Sequence, residues 1–285
     1  MLIVPPERPI EPLTLAVLRR VDHVAREMAL EYFVVGAIAR DLLLTNVFGL
    51  KMSRATADVD LGIVVDRWEQ FEDLKARLIE TGAFRQDEKK MHRLNHFPDP
   101  KGSSYPLDLV PFGGVERPRN EIAWPPDGSV VMNVAGFDEA LSSAVAVELE
   151  PGFVVRVASL PGLAILKLLA WADRGAGDRR DAIDFGAILQ RYADTGNGDR
   201  LYGTEIQVLV DTNYDFDLAG ARLLGADAGR IATPATRRKV LALLNDPAHM
   251  DRLVLAVSRE LQATEDSVER ANDLLSQFRS GFQEF

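Results

Sequence analysis

The sequence predicts an α+β fold: a mixed α/β unit over residues 1–158, followed by a helical bundle over residues 159–285. Three observations carry this. Short apolar runs of strand type alternate with amphipathic helical patterns up to Ser159. Beyond that point strand-like runs become scarce and helical spacing dominates to the end. The chain has 285 residues, 47% of them hydrophobic, which is enough for one large or two modest packed cores.

The elements follow in order. Residues 12–30 carry Leu15, Val17, Leu18, Val21, Val24 and Met28 at helical spacing. "YFVVGA" is a short buried strand ending at Gly36, and "IARDLLLTNVFGL" is a helix that starts just after that glycine. "DVDLGIVV" is a second strand, and "RWEQFEDLKARLIETG" an amphipathic helix closed by Gly82. "KKMHRLNHF" and "PLDLVPFGG" read as two more strands around a turn from Pro98 to Ser104, and "AVAVELEPGFVVRVAS" as a hairpin turning at Pro151-Gly152. The second half holds five helical patterns: "LPGLAILKLLAWADR", "RRDAIDFGAILQRYA", "PATRRKVLALLND", "MDRLVLAVSRELQ" and "SVERANDLLSQFR". "GADAG" at 225–229 reads as a loop, and Trp68, Trp124 and Trp171 as core or interface residues.

Composition narrows the function. There is no cysteine, hence no disulfide framework and no thiolate nucleophile or metal ligand. The N-terminus lacks the order of a signal peptide, and no apolar run approaches the ~20 residues of a membrane span. A cytoplasmic protein without membrane contact is expected. A net charge of −10 restricts any nucleic-acid contact to a local basic patch.

The chemistry-bearing residues are carboxylates. Asp58 and Asp60 lie two apart at the start of an apolar strand, so their side chains share a face. Two like charges on one face need a cation or a proton between them. Oxygen ligands of this kind suit Mg²⁺, which completes its shell with water and phosphate. Asp108, in "YPLDLVPFGG", opens another apolar strand; beside the pair it would complete a cage suited to two-metal phosphoryl chemistry. Gly36 ends a strand and opens a helix, where backbone N–H groups can face an anion. Ser53, Arg54 and Thr56 add donors and a positive charge just before the acids. His92 and His96, spaced four apart in a strand pattern, are not expected to form a metal pair.

"VVGAIARDLLL…RATADVDLGIVV…YPLDLVPFG" resembles the polymerase-β-type nucleotidyltransferases, in the flavour of the AbiEii/AbiGii-type and MenT-like toxins. The resemblance spans roughly Phe33 to Leu189 and implies a nucleotidyltransferase core with a mixed sheet and a C-terminal helical domain. It implies Asp58, Asp60 and Asp108 as catalytic metal ligands, for Mg²⁺ in a two-metal site or for Mn²⁺. It implies a nucleoside triphosphate substrate, attack on its α-phosphorus and departure of pyrophosphate. Where the family often has Gly-Gly or Gly-Ser, this chain has Gly36-Ala37. Alanine keeps the small size but lacks the hydroxyl and disfavours positive φ. Phosphate contact is then expected from backbone amides and from Arg40 or Arg54.

The family also carries a lysine and an Arg-Asp-x-x-Asp segment, matched by Lys167, Arg174, Arg180, Asp181 and Asp184. Two readings of Lys167 stay open: a surface lysine with its stem along leucines, or a catalytic cation on triphosphate oxygens. Asp181 and Asp184, three apart on one helix face, either serve the nucleotide site or form a solvated charged face. Arg174, Arg179 and Arg180 give the region a basic character suited to a phosphate backbone. The leading expectation is a toxin that nucleotidylates RNA, at a tRNA 3' end, with a cognate antitoxin as partner. The alternatives are an enzyme acting on a small molecule or a protein hydroxyl, and a non-catalytic nucleotide-binding module.

Overall fold

The structure, a computed structural model, describes residues 1–51, 56, 58–98, 104–175, 178–259, 261 and 266–284. The chain divides into two compact units: Met1–Leu42 with Arg54–Ala158, and Leu43–Ser53 with Ser159–Phe285.

The first unit is built on ten strands: β1 (Leu2–Ile3), β2 (Tyr32–Val35), β3 (Val59–Val65), β4 (Phe84–Gln86), β5 (Arg93–His96), β6 (Tyr105–Gly113), β7 (Glu121–Ala123), β8 (Val131–Asn133), β9 (Val145–Glu150) and β10 (Phe153–Val157). Eight form one mixed sheet in the order β1-β9-β10-β2-β3-β6-β5-β4, and β7 and β8 pair as a separate ribbon. β3 and β6 run parallel; β2 is antiparallel to β3, and β5 antiparallel to β6. β9 and β10 form the expected antiparallel hairpin. The hydrophobic N-terminal residues, not expected to form a strand, supply β1, which extends the sheet by pairing parallel with β9.

Four helices belong to this unit: α1 (Pro12–Glu27), α2 (Gly36–Asp41), α3 (Trp68–Glu80) and α4 (Phe137–Ser142). α1 starts where it does because Pro12 suits a first helical position and Glu11 accepts the Thr14 N–H at 2.8 Å. α2 runs on into a π-helical stretch, Leu42–Val47. The core includes three aromatic rings, Phe33, Phe112 and Phe137, with centroids 5.4–6.2 Å apart. Trp124 is buried against Trp68 and Phe71, as expected of a core tryptophan.

The second unit is helical: α5 (Leu160–Arg174), α6 (Arg180–Arg191), α7 (Gly198–Leu201), α8 (Ile206–Asp211), α9 (Phe216–Ile231), α10 (Pro234–Asn245), α11 (Pro247–Val257) and α12 (Ser267–Gln283). α5 begins at Ser159, whose Oγ accepts from the Gly162 N–H at 3.2 Å. The expectation of a loop at 225–229 is corrected: "GADAG" is the interior of α9. Its glycines serve packing. A Cβ on Gly225 or Gly229 would overlap backbone atoms of Phe278 or Phe282 on α12, and one on Gly281 would overlap the Arg222 carbonyl. Helices packed this closely leave no room for side chains at the crossing, which outweighs the low helix propensity of glycine.

Candidate active site

The carboxylate site is assembled by strand register. In the parallel β3–β6 ladder Asp60 stands opposite Asp108, and in the antiparallel β5–β6 ladder Arg93 stands opposite Asp108. Asp58 lies two residues before Asp60, on the same face. Carboxylate oxygens of Asp58, Asp60 and Asp108 all lie within 4.8 Å of one another. Asp58 is 33% exposed and Asp108 13%, so solvent reaches the cluster.

Each acid is held by a different device. Thr56 Oγ1 donates to Asp58 Oδ1 at 2.9 Å, and the Thr56 N–H donates to Asp41 Oδ2 at 3.1 Å, tying the approach of β3 to the end of α2. Asp60 is placed by Gly36, whose φ is +69° and whose Cα is so close that an added Cβ would overlap the Asp60 carboxylate. That position requires glycine twice, for the left-handed backbone and for the close approach. Asp108 is gripped by Arg93, with Nε on Oδ1 at 2.5 Å and Nη2 on Oδ2 at 2.6 Å; Nη2 also lies 3.5 Å from Asp58 Oδ2. The Asp108 hydrogen bonds hold the Arg93 guanidinium more firmly protonated than usual, against the cost of its burial. His92 Nε2 is 3.9 Å from Asp108 Oδ2, and burial shifts its pKa down. His96 points elsewhere, against Phe84.

The positive φ of the strand–helix turn falls on Gly36, and Ala37 lies inside α2. Arg40 is 1% exposed, with Nε and Nη2 on Asp41 Oδ1 at 2.8 and 2.5 Å. Ser53 and Arg54 lie outside the described residues.

Lys167, Asp181 and Asp184 come together within the helical unit. Lys167 Nζ donates to Asp181 Oδ1 at 3.0 Å and to Asp184 Oδ2 at 2.6 Å; Arg174 Nη1 adds a bond to Asp181 Oδ2 at 2.5 Å. Lys167 is 8% exposed, and the two aspartates are 2% and 1% exposed. The lysine is thus buried among carboxylates, not laid along the surface. Arg180 pairs with Asp178 in solvent.

Arg93 and Asp41 are the residues that sequence reasoning missed. Arg93 follows His92 in an alternating strand, but its place opposite Asp108 depends on the β5–β6 register. Cross-strand register carries no local signal in the sequence. Asp41 hid at the end of a helical run.

A sequence-family model described as "Nucleotidyl transferase AbiEii toxin, Type IV TA system" matches residues 38–273. The chain belongs to this family. AbiEii membership makes the protein a nucleotidyltransferase of a toxin–antitoxin type, and the α+β architecture with a mixed sheet and helical C-terminal region accords with the resemblance read from the sequence. Solved structures similar to this AbiEii chain include the solution structure of the antibiotic-resistance factor ANT(2'')-Ia, at 15% identity and TM-score 0.40, covering 72% of this chain and 99% of that one. A CCA-adding enzyme in complex with ATP is 17% identical, with TM-score 0.33, covering 96% and 70%. The Thermotoga maritima CCA-adding enzyme complexed with tRNA is 12% identical, with TM-score 0.26, covering 96% and 80%. No curated protein compared matches the chain.

Proposed function

We propose that this protein is a divalent-metal-dependent nucleotidyltransferase that moves a nucleoside monophosphate from a nucleoside triphosphate to an RNA hydroxyl, at a tRNA 3' end, as the toxin of a toxin–antitoxin pair. One observation carries the chemistry: three carboxylates from neighbouring strand positions converge within 4.8 Å. The donor set fits a hard cation, since it is made of carboxylate oxygens alone. Asp58, Asp60 and Asp108 would hold Mg²⁺ or Mn²⁺. When bound, the metal supplies charge neutralisation on the triphosphate and a more acidic acceptor hydroxyl.

The residues of the chain do the rest. Thr56 and Gly36 fix the orientations of Asp58 and Asp60. The Gly36-Ala37 turn offers backbone N–H groups to phosphate oxygens. The acceptor oxygen forms its bond to the α-phosphorus as the bond to the bridging oxygen breaks and pyrophosphate leaves; Asp108 takes the hydroxyl proton. Lys167, with Asp181 and Asp184, enters the proposal as the ionic centre of residues 159–285. Arg174, Arg179 and Arg180 are the basic residues offered to the RNA. Residues 1–158 carry the transfer.

The test is incubation of the purified protein with each labelled nucleoside triphosphate, Mg²⁺ and total tRNA. Label on RNA supports the proposal. Label on protein or on a small molecule moves the acceptor to the alternative class. Nucleotide binding without transfer to any acceptor overturns the enzymatic reading.

A further inference from the structure

Arg93 has an unusual place. It is not part of the acid pattern, yet it is bonded to both oxygens of Asp108 and reaches toward Asp58. A carboxylate gripped end-on by a guanidinium has its best-placed lone pairs engaged. A divalent cation would need the same oxygens and would meet a like charge within a few ångströms. The two cations therefore compete for one cluster.

We infer that Arg93 is a resident counter-cation that blocks metal from entering alone and makes metal and nucleotide binding cooperative. The inference rests on the carboxylate cluster being the metal site. The reasoning is electrostatic. Without ligand, three clustered carboxylates repel, and Arg93, with a side chain only 17% exposed, relieves that repulsion. For a bare divalent ion to replace it, the guanidinium must leave a bidentate partner for partly desolvated surroundings, where an unpaired charge is costly. A metal that arrives with a triphosphate removes this obstacle, because the phosphates are a new anion for the displaced guanidinium. Arginine suits both partners, since its planar fork matches carboxylate and phosphate oxygens alike. Arg93 is a positioning residue in this account: it holds Asp108 and Asp58 ready and limits what the cluster accepts.

The test is Mn²⁺ binding to the full chain by electron paramagnetic resonance or calorimetry, with and without a non-hydrolysable nucleoside triphosphate. The variants are Arg93→Gln, Arg93→Lys, and Arg93→Gln combined with Asp60→Asn. Circular dichroism checks that each is folded. Removing the adjacent positive charge should tighten Mn²⁺ binding without nucleotide by about tenfold or more, the scale on which a neighbouring charge shifts a carboxylate equilibrium. Arg93→Lys, which keeps the charge but loses the fork, should fall between wild type and Arg93→Gln. If Arg93→Gln is unfolded, Arg93→Lys decides alone. Nucleotide should tighten Mn²⁺ binding far more in wild type than in either variant. Equal or weaker Mn²⁺ binding in the folded variants, with undiminished nucleotide coupling, overturns the inference. The double variant separates the two readings. If Asp60→Asn leaves the tightened binding untouched, the cluster is not the metal site; if it abolishes that binding, the cluster reading stands whatever Arg93 does.

Discussion

Two of the ionic clusters among the described residues invite comparison. In the first unit Asp58, Asp60 and Asp108 stand beside the Arg93 guanidinium, and the side chains of Asp58 and Asp108 remain 33% and 13% exposed. In the helical unit Asp181 and Asp184, at 3% and 1% side-chain exposure, meet two cations, Lys167 and Arg174. The second holds its two carboxylates away from solvent. The first is open to solvent. A buried ion-paired network answers the demands of folding, because a charge without a partner is expensive there. Accessible carboxylates drawn together can take up a cation from solvent. Exposure distinguishes them; the count of acidic residues does not.

The largest effect that sharpens this contrast is on catalysis. Asp58→Ala or Asp60→Ala should lower the rate of nucleotidyl transfer by at least about a thousandfold, several kcal/mol of transition-state stabilisation. Metal-free melts should stay near wild type, since a like charge has been removed from the cluster. Retained transfer in either variant would show that the open cluster is not the catalytic one.

Lys167→Ala should do the opposite and act on folding. It removes the ammonium bonded to both buried aspartates and should cost about 3–5 kcal/mol of stability, read as a large drop in thermal midpoint. Lys167→Arg should recover part of it. Unchanged melts for both variants would break the contrast from the other side.

Gly36→Ala should cost about 1–3 kcal/mol, because alanine at φ +69° is strained and its methyl group would displace Asp60. Transfer should fall along with stability in this variant. A stable but inactive Gly36→Ala protein would assign the whole effect to the displaced carboxylate.

The smallest effect belongs to Arg180→Ala. Arg180 holds Asp178 well below the usual carboxylate value of 3.8 through their hydrogen bond, but the arginine side chain is 62% exposed. Solvent screening keeps the loss below about 1 kcal/mol. Because the folded-state pKa is depressed, the stabilisation is fully present above pH 3.8 and disappears as pH falls through the folded value. Melts of wild type and variant should therefore converge in strong acid.

The sequence makes one part of the site legible and hides another. Asp58 and Asp60 are visible because period-two alternation puts them on one face, and Asp108 because it opens a second apolar strand. α3, α5, α6, α10 and α12 follow from amphipathic spacing with recognisable starts and stops. "GADAG" misleads because small residues that suit a tight helix crossing look, locally, like a turn; only α12 on the other side explains them. Lys167 keeps two readings in sequence because its leucine neighbours do not reveal that Asp181 and Asp184 receive it. Arg93 is hidden most completely, since its role exists only through cross-strand register.

That register has a consequence for control. β3 and β6 lie in the interior of the eight-stranded sheet, with β2 on one side and β5 on the other. Paired interior strands are among the last parts of a domain to open in native-state fluctuations, whereas loops and edges open early. Amide exchange at Leu61 and Leu109 should accordingly be as slow as global unfolding allows. A regulator that softens a loop or frays an edge would leave Asp60 and Asp108 in place. Silencing this enzyme reversibly calls for something that covers the cluster or occupies it, because the strands that carry Asp60 and Asp108 are among the last to open.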